Sequence, residues 1–240
     1  MKNTLDKHVV AYEGLSLYDF DNNIMLNWYP KRVLELAQGA KSILELGIGH
    51  GITTDIFSKH FERHVVLDAS PAVIQNFRKK FPNCSAQIIE TYFENFMSNE
   101  KFDVIVMGFV LEHVDNPTSI ITIYKKFLSP QGKLFITVPN AEALNRKLGN
   151  IAGLLPDMQI LSENDVMLGH KRYYTVASLK EQIKNAGYYV ERIEGIYLKP
   201  FTTNQIMSLN FEPKILHALC VVGVDYPELC VGMLAQIKKA

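Results

Sequence analysis

The chain has 240 residues, 48% hydrophobic and 21% charged, which fits one large α/β domain with room for a substantial core. Lys plus Arg and Asp plus Glu both total 25, so the net charge is zero; the chain lacks the electrostatic footprint of a nucleic-acid binder, and no nucleic acid is expected as partner. Cys84, Cys220 and Cys230 are few, odd in number and widely spaced; they read as reduced core thiols, and no metal is expected. The start, Met1-Lys2-Asn3-Thr4-Leu5-Asp6, has no secretory apolar region, and no apolar run is long enough to span a bilayer. A cytoplasmic protein, monomer or homodimer, with no membrane partner is the expectation.

Residues 1–38 are rich in aromatics (Tyr12, Tyr18, Phe20, Trp28, Tyr29) and precede the first core strand, so they form a helical cap or an arm across the sheet's ligand edge. Residues 42–46 read as the first strand, 51–60 as a helix and 64–68 as the second strand. Ser70 and Pro71 start a helix well, as N-cap and first helical residue, and Val73, Phe77 and Phe81 give it an apolar face. Strands are expected at 86–90, 103–108 and 132–138, with a helix at 117–128 whose Ile120, Ile121, Tyr124 and Leu128 face inward. Up to there strands and helices alternate, which implies right-handed crossovers and a parallel sheet. Residues 141–172 break the alternation and read as a lid insertion at the ligand edge. Thr175 caps a helix over 176–186, which Gly187 ends. Residues 188–198 and 229–238 read as the last strands, with a second small insertion at 201–226. No repeat or linker divides the chain, so 1–240 is read as a single domain.

The informative stretch is Ile43-Leu-Glu-Leu-Gly-Ile-Gly-His-Gly51 followed by His64-Val-Val-Leu-Asp68. An apolar strand runs into a glycine turn, and the next strand ends in a carboxylate. Glycines let the backbone approach a ligand closely, and a carboxylate there can take both ribose hydroxyls. The dinucleotide fingerprint needs Gly or Ala where Ile52 stands, so the spacing tilts from NAD toward S-adenosylmethionine (SAM).

Four segments resemble the class I SAM-dependent methyltransferases, in the branch of ubiquinone-type and small-molecule methyltransferases. They are Glu45–Gly51, Val66-Leu-Asp-Ala-Ser70, Phe102-Asp-Val-Ile-Val-Met-Gly-Phe-Val-Leu-Glu-His-Val114 and Leu128-Ser-Pro-Gln-Gly-Lys-Leu-Phe-Ile136, and the resemblance spans roughly residues 40–195. It implies a Rossmann-like α/β fold, a seven-stranded, mostly parallel sheet with helices on both faces and its last strand antiparallel. It also implies SAM as cofactor. By the same resemblance Glu45 sits near the methionine ammonium, and Gly47 and Gly49 pass beneath methionine and ribose. Asp68 chelates the ribose hydroxyls, with Ala69 along the adenine and Tyr92, Phe93 and Glu94 at the adenine edge. Met107 and Gly108 present backbone carbonyls to the ammonium.

An oxygen or nitrogen acceptor must lose a proton during methyl transfer, which suits a histidine near neutral pH. His113, in Leu111-Glu112-His113, and His170, in Gly169-His-Lys-Arg-Tyr-Tyr174, are the candidates, with Tyr173 beside them. Both histidines could equally be structural. Tyr173 and Tyr174 alternate faces, so one belongs to the core and one to a ligand. Tyr18, Trp28, Asn140, Arg172 and Tyr174 are expected to bind the substrate, with Lys171 and Arg172 suited to a carboxylate. The reading is SAM-dependent methylation of an O or N atom of a small molecule. Two alternatives stay open: an enzyme that cyclises the aminocarboxypropyl arm of SAM and releases methylthioadenosine, and a non-catalytic SAM-binding module.

Overall fold

The computed structural model describes residues 17–239; residues 1–16, including Tyr12 of the expected cap, and Ala240 lie outside the described residues. In chain order the elements are α1 (Asp19–Leu36), β1 (Ser42–Leu46), α2 (Ile52–Ser58), β2 (Arg63–Asp68), α3 (Pro71–Lys80), β3 (Gln87–Glu90), β4 (Phe102–Gly108) and α4 (Pro117–Tyr124). They continue as β5 (Leu128–Pro139), α5 (Leu144–Ile151), α6 (Glu163–Leu168), α7 (Val176–Asn185), β6 (Tyr188–Leu198), α8 (Thr203–Ser208), α9 (Pro213–Gly223) and β7 (Cys230–Lys239).

The seven strands form one sheet in the order β3-β2-β1-β4-β5-β7-β6. Strands β1 to β5 pair in parallel, and β7 runs antiparallel to both β5 and β6. It follows that β6 points the same way as β1–β5, so six strands end at one edge. This is the Rossmann-like, mostly parallel sheet expected from the sequence.

Alternation along each strand sorts the core onto two faces. Leu44, Leu46, Ile105 and Ile136 pack with Ile120, Ile121 and Tyr124 of α4 and Leu179 and Ile183 of α7. Ile43, Val104, Val106 and Phe135 face the other way, against Met25, Tyr29 and Val33 of α1 and Cys220 of α9. The cap helix α1 lies along β6: Arg32 forks onto Glu194 at 2.9 Å through both Nε and Nη2, and nearer the strand's carboxyl end Lys199 meets Asp21. The start of α3 is as read: the Ser70 hydroxyl accepts the Val73 N–H at 3.2 Å, and Pro71 opens the helix.

Two boundaries differ from the sequence reading. The helix expected over 117–128 ends at Tyr124, with a 3-10 turn over Lys125–Phe127. β5 begins at Leu128 instead of 132, because Phe102 pairs with Leu128 and the register then jumps before Val104. Gly132 makes this bulge possible, since a Cβ there would lie 2.8 Å from the Leu128 side chain and 2.9 Å from the Phe102 carbonyl. The 141–172 segment holds α5 and α6, and 201–226 holds α8 and α9. Among the described residues no helix is long and apolar enough to cross a membrane.

Candidate active site

A cavity of about 820 Å³ opens along the edge where β1, β2, β4, β5 and β6 end. This is where open α/β sheets bind ligands. Its walls come from the glycine turn, the loops after β2 and β4, the start of α1, and the segments after β5 and β6.

The turn after β1 is built by glycines with positive φ: Gly47 at 80°, Gly49 at 50° and Gly51 at 77°. Gly51 caps α2, and a Cβ on it would strike the Phe77 ring at 2.5 Å, so the turn packs tightly on α3. Opposite the turn, Asp68 Oδ2 accepts the Ile48 N–H at 3.0 Å and Oδ1 accepts the Ser70 N–H at 2.8 Å. A carboxylate offers about four acceptor positions, so these bonds orient it without exhausting its capacity to accept from a ligand hydroxyl. Burial raises the Asp68 carboxyl above its ordinary value, against the pull of the Ile48, Ser70 and Ala69 N–H groups. The exposed Tyr92 ring, with Phe93 and Glu94, continues this wall. A positive-φ glycine cradle, a fixed carboxylate and an adjacent aromatic suit an adenosyl ligand.

The other concentration of chemistry follows β4. His113 and His170 stack edge to face with ring centroids 4.8 Å apart. His170 Nδ1 lies 2.9 Å from Asp165 Oδ1, an ion-pair contact whose N–H direction is poorly aligned for a hydrogen bond. Asp165 is itself held: its Oδ2 accepts the Tyr173 hydroxyl at 2.6 Å and both the N–H (2.8 Å) and the hydroxyl (2.5 Å) of Ser162. Burial would raise the Asp165 carboxyl, but the close His170 ring and the bonds from Ser162 and Tyr173 hold it well below the ordinary range. Burial opposes a charge on His170, yet the Asp165 and Glu112 carboxylates outweigh it and raise its pKa. Glu112 is fully buried, and neither of its oxygens has a hydrogen-bond partner among the described residues. Burial pushes its carboxyl up to about 7 despite His170. Arg146 ties the neighbouring chain together. It donates to the carbonyls of Ala141 (3.2 Å), Met158 (2.7 Å) and Ile160 (2.8 Å) and sits 4.3 Å from the Tyr173 ring centre.

Most of the residues singled out from the sequence border the cavity. Gly47, Gly49, Asp68, Ala69 and Gly108 do so on the glycine-turn side, with Tyr92, Phe93 and Glu94. His113, His170 and Tyr173 do so on the other, as do Tyr18 and Asn140. Asn140 is nonetheless engaged, its amide donating to the Pro227, Glu228 and Cys230 carbonyls at 3.2, 3.2 and 2.9 Å.

Five expectations are corrected. Glu45 does not border the cavity: its carboxylate takes the Thr53 hydroxyl at 2.7 Å and lies 3.0 Å from His64 Nε2, inside the layer between sheet and helices. Met107 is wholly buried in the core, and Gly108 alone of that pair reaches the cavity. Trp28 packs edge to face on His217 of α9, with ring centres 5.3 Å apart. Arg172 points toward the Asp115 carbonyl, outside the cavity, and Lys171 inside it is paired with Asp115, so no carboxylate receptor forms there. Tyr174 is the core member of the tyrosine pair; its backbone bridges to Asn140, and its hydroxyl donates to the Leu111 carbonyl at 3.4 Å.

Reading the sequence missed Asp165, Glu112 and Arg146 as parts of the site. Asp165 carried one signal, the Ser162-x-x-Asp165 capping pattern. Tyr29 comes to within 2.3 Å of where a Gly108 Cβ would stand, so that glycine is what admits its hydroxyl. Glu112, His113 and His170 also each bring a ligand-type atom within 4.8 Å of the others, a set able to converge on a cation although the sequence reading expects no metal.

A family model described as a methyltransferase domain matches residues 25–193. The ubiquinone biosynthesis O-methyltransferase of Pasteurella multocida (strain Pm70) is 33% identical over 129 residues, which are 46% of this chain and 53% of that protein. The chain thus spans about half the length of that relative. The protein of the same description from Xanthomonas euvesicatoria pv. vesicatoria (strain 85-10) is 25% identical over 200 residues, 81% of each chain. Among solved structures, the N-methyltransferase NodS from Bradyrhizobium japonicum WM9, in complex with S-adenosyl-L-homocysteine (SAH), superposes with a TM-score of 0.62 at 16% identity, covering 99% of both chains. The plantazolicin methyltransferase BpumL, in complex with a monoazolic substrate analogue and SAH, has a TM-score of 0.64 at 17% identity, covering 98% of this chain and 95% of that one. At these identities the two structures establish a common fold.

Proposed function

We propose that this chain, which belongs to the methyltransferase domain family, moves the methyl group of SAM onto a hydroxyl oxygen of a small molecule. The observation that carries the reading is one continuous cavity bordered both by the glycine turn with Asp68 and by His113, His170 and Glu112. The O-methyltransferase relatives support an oxygen acceptor over nitrogen.

Bound SAM supplies a cationic sulfonium whose methyl carbon is the electrophile. The residues of the chain then have three tasks. Gly47, Gly49 and Asp68 fix the adenosyl end, so that in-line geometry is prepaid; orientation of this kind is worth about 7–11 kcal/mol of barrier. His170 takes the acceptor's proton, with Asp165 orienting the ring and stabilising the imidazolium. General-base catalysis of this type contributes about 10²–10⁴-fold. The 141–172 segment, pinned by Arg146, closes the acceptor side and keeps water out. A single domain acting as monomer or homodimer on a small molecule, not on nucleic acid, completes the proposal; the zero net charge supports it.

The test is product analysis with purified chain and SAM, with and without a panel of phenols and alcohols. SAH released only with an acceptor is the expected result. Methylthioadenosine released without acceptor would overturn the proposal in favour of cyclisation, and tight SAM binding with no product under any condition would make the chain a binding module.

A further inference from the structure

The start of α1 and the segments after β5 and β6 bring four polar residues together at the cavity: Asp21, Asn145, Lys199 and Thr203. Asp21, Lys199 and Thr203 are each at most 5% exposed. Lys199 Nζ donates to Asp21 Oδ2 at 2.5 Å and to Thr203 Oγ1 at 2.7 Å, and the Thr203 hydroxyl donates to the same Asp21 oxygen at 2.5 Å. The Asn145 N–H donates to the Lys199 carbonyl at 3.1 Å, which sets α5 against the group.

Counting donors and acceptors leaves a remainder. An ammonium has three protons, and two are used. Asp21 Oδ1 and Asn145 Oδ1 are shut off from solvent and have no hydrogen-bond partner among the described residues. Each such orphan carries an uncompensated desolvation cost, which a fold tolerates where something else supplies the bond. Within the group the charges cancel, Lys199 answering Asp21, and the other cationic side chains that border this half of the cavity are also engaged. Lys171 is paired with Asp115, His170 with Asp165, and Arg146 with three carbonyls. Position separates the group from the adenosyl end. Asn145, Lys199 and Thr203 follow β5 and β6, on the opposite side of β4 from β1 and β2, which carry the glycine turn and Asp68.

We infer that Asp21, Asn145, Lys199 and Thr203 form a recognition subsite for a second polar group of the acceptor, remote from the methylated oxygen, and that this group is a neutral hydroxyl. A hydroxyl can donate to an orphaned oxygen and accept the remaining Lys199 N–H. A carboxylate would face Asp21 and an ammonium would face Lys199, each bringing an uncompensated charge into a neutral pocket. The inference rests on the acceptor reading given above.

Three phenols test it, alike in the nucleophile and different at the far end: 4-hydroxybenzyl alcohol, 4-hydroxybenzoate and 4-hydroxybenzylamine. Binding to the SAH-loaded full chain is measured by calorimetry, and methyl transfer from SAM by SAH release. The alcohol is expected to bind at least tenfold more tightly than the other two. Asp21→Asn with Lys199→Met, which removes both charges together, and Asn145→Leu, which leaves the ion pair intact, are each expected to erase most of that preference with SAH affinity unchanged. Preference for the carboxylate or the amine, equal binding of all three, or no binding by any overturns the inference. So does a loss of SAH affinity in the variants, which would assign the group to the cofactor's amino-acid end. Preferential binding of the alcohol without turnover leaves the subsite standing and sinks the methylation reading instead.

Discussion

Replacing Asp165 by asparagine tests the positioning role proposed for the aspartate apart from its part in the cap of α6. One oxygen of Asp165 accepts from Ser162 and Tyr173, and the other faces His170. An asparagine can keep its carbonyl on the Ser162 and Tyr173 side, so the cap of α6 survives. Its NH2 then faces His170 Nδ1, which must become an acceptor and leave the ring proton on Nε2. Two consequences follow. A charge-assisted contact worth about 1.5–3 kcal/mol is lost, equivalent to about one to two pKa units at 1.36 kcal/mol each. The His170 pKa, raised in the parent, therefore falls. Because the base must be neutral, the parent's rate should climb with pH through an inflection above that of an ordinary histidine. In Asp165→Asn the inflection should move down by about one to two units. On the alkaline plateau kcat should drop about 10²–10⁴-fold, because the neutral ring now presents its protonated nitrogen. SAH release across the neutral pH range measures both effects, and SAH calorimetry checks that the cofactor end is intact. A variant that folds, binds SAH and keeps the parent's plateau and inflection would refute His170 as the base.

Three other outcomes are expected. Asp68→Ala should weaken SAH binding by roughly 1–3 kcal/mol, the scale of losing hydrogen bonds to a charged group; unchanged calorimetric affinity would remove the ribose assignment. Gly108→Ala should cost about 1–3 kcal/mol of stability, because its Cβ would lie 2.3 Å from the Tyr29 hydroxyl. Adding Tyr29→Phe should restore much of the lost melting temperature, and no restoration would place the strain elsewhere. Dialysis against a chelator should leave turnover unchanged; loss that added Mg²⁺ or Zn²⁺ reverses would assign Glu112, His113 and His170 to a cation.

The fold was legible where chemistry is local. Apolar runs, the Ser70-Pro71 start and the glycine turn each carry their own signal, and β1 and β6 fall at 42–46 and 188–198 as read. The corrections arise where the deciding partner is distant in sequence. Glu45 in an apolar strand demands a partner, which the sequence reading supplied with a ligand's ammonium. The partners are Thr53 of α2 and His64, the latter on the neighbouring strand and the same face; the register Glu45 to Val66 makes Glu45 and His64 diagonal neighbours. Alternation correctly divides Tyr173 from Tyr174 but does not say which is which. That depends on the bridge from Tyr174 to Asn140, 34 positions away. The Asp21 to Lys199 contact spans 178 positions and has no sequence signature.

That span bears on how the protein is made. The wall of the cavity at α1 is fastened to β6, and among the described residues β6 is held in the sheet through β7, which follows it in the chain. During synthesis the glycine turn and Asp68 emerge before β6 and β7, yet the cavity they serve has no closed wall until β7 has inserted between β5 and β6. A nascent or truncated chain would thus display a cofactor grip without an acceptor chamber, and only the part of α1 that packs on β6 and α9 would wait for its partners.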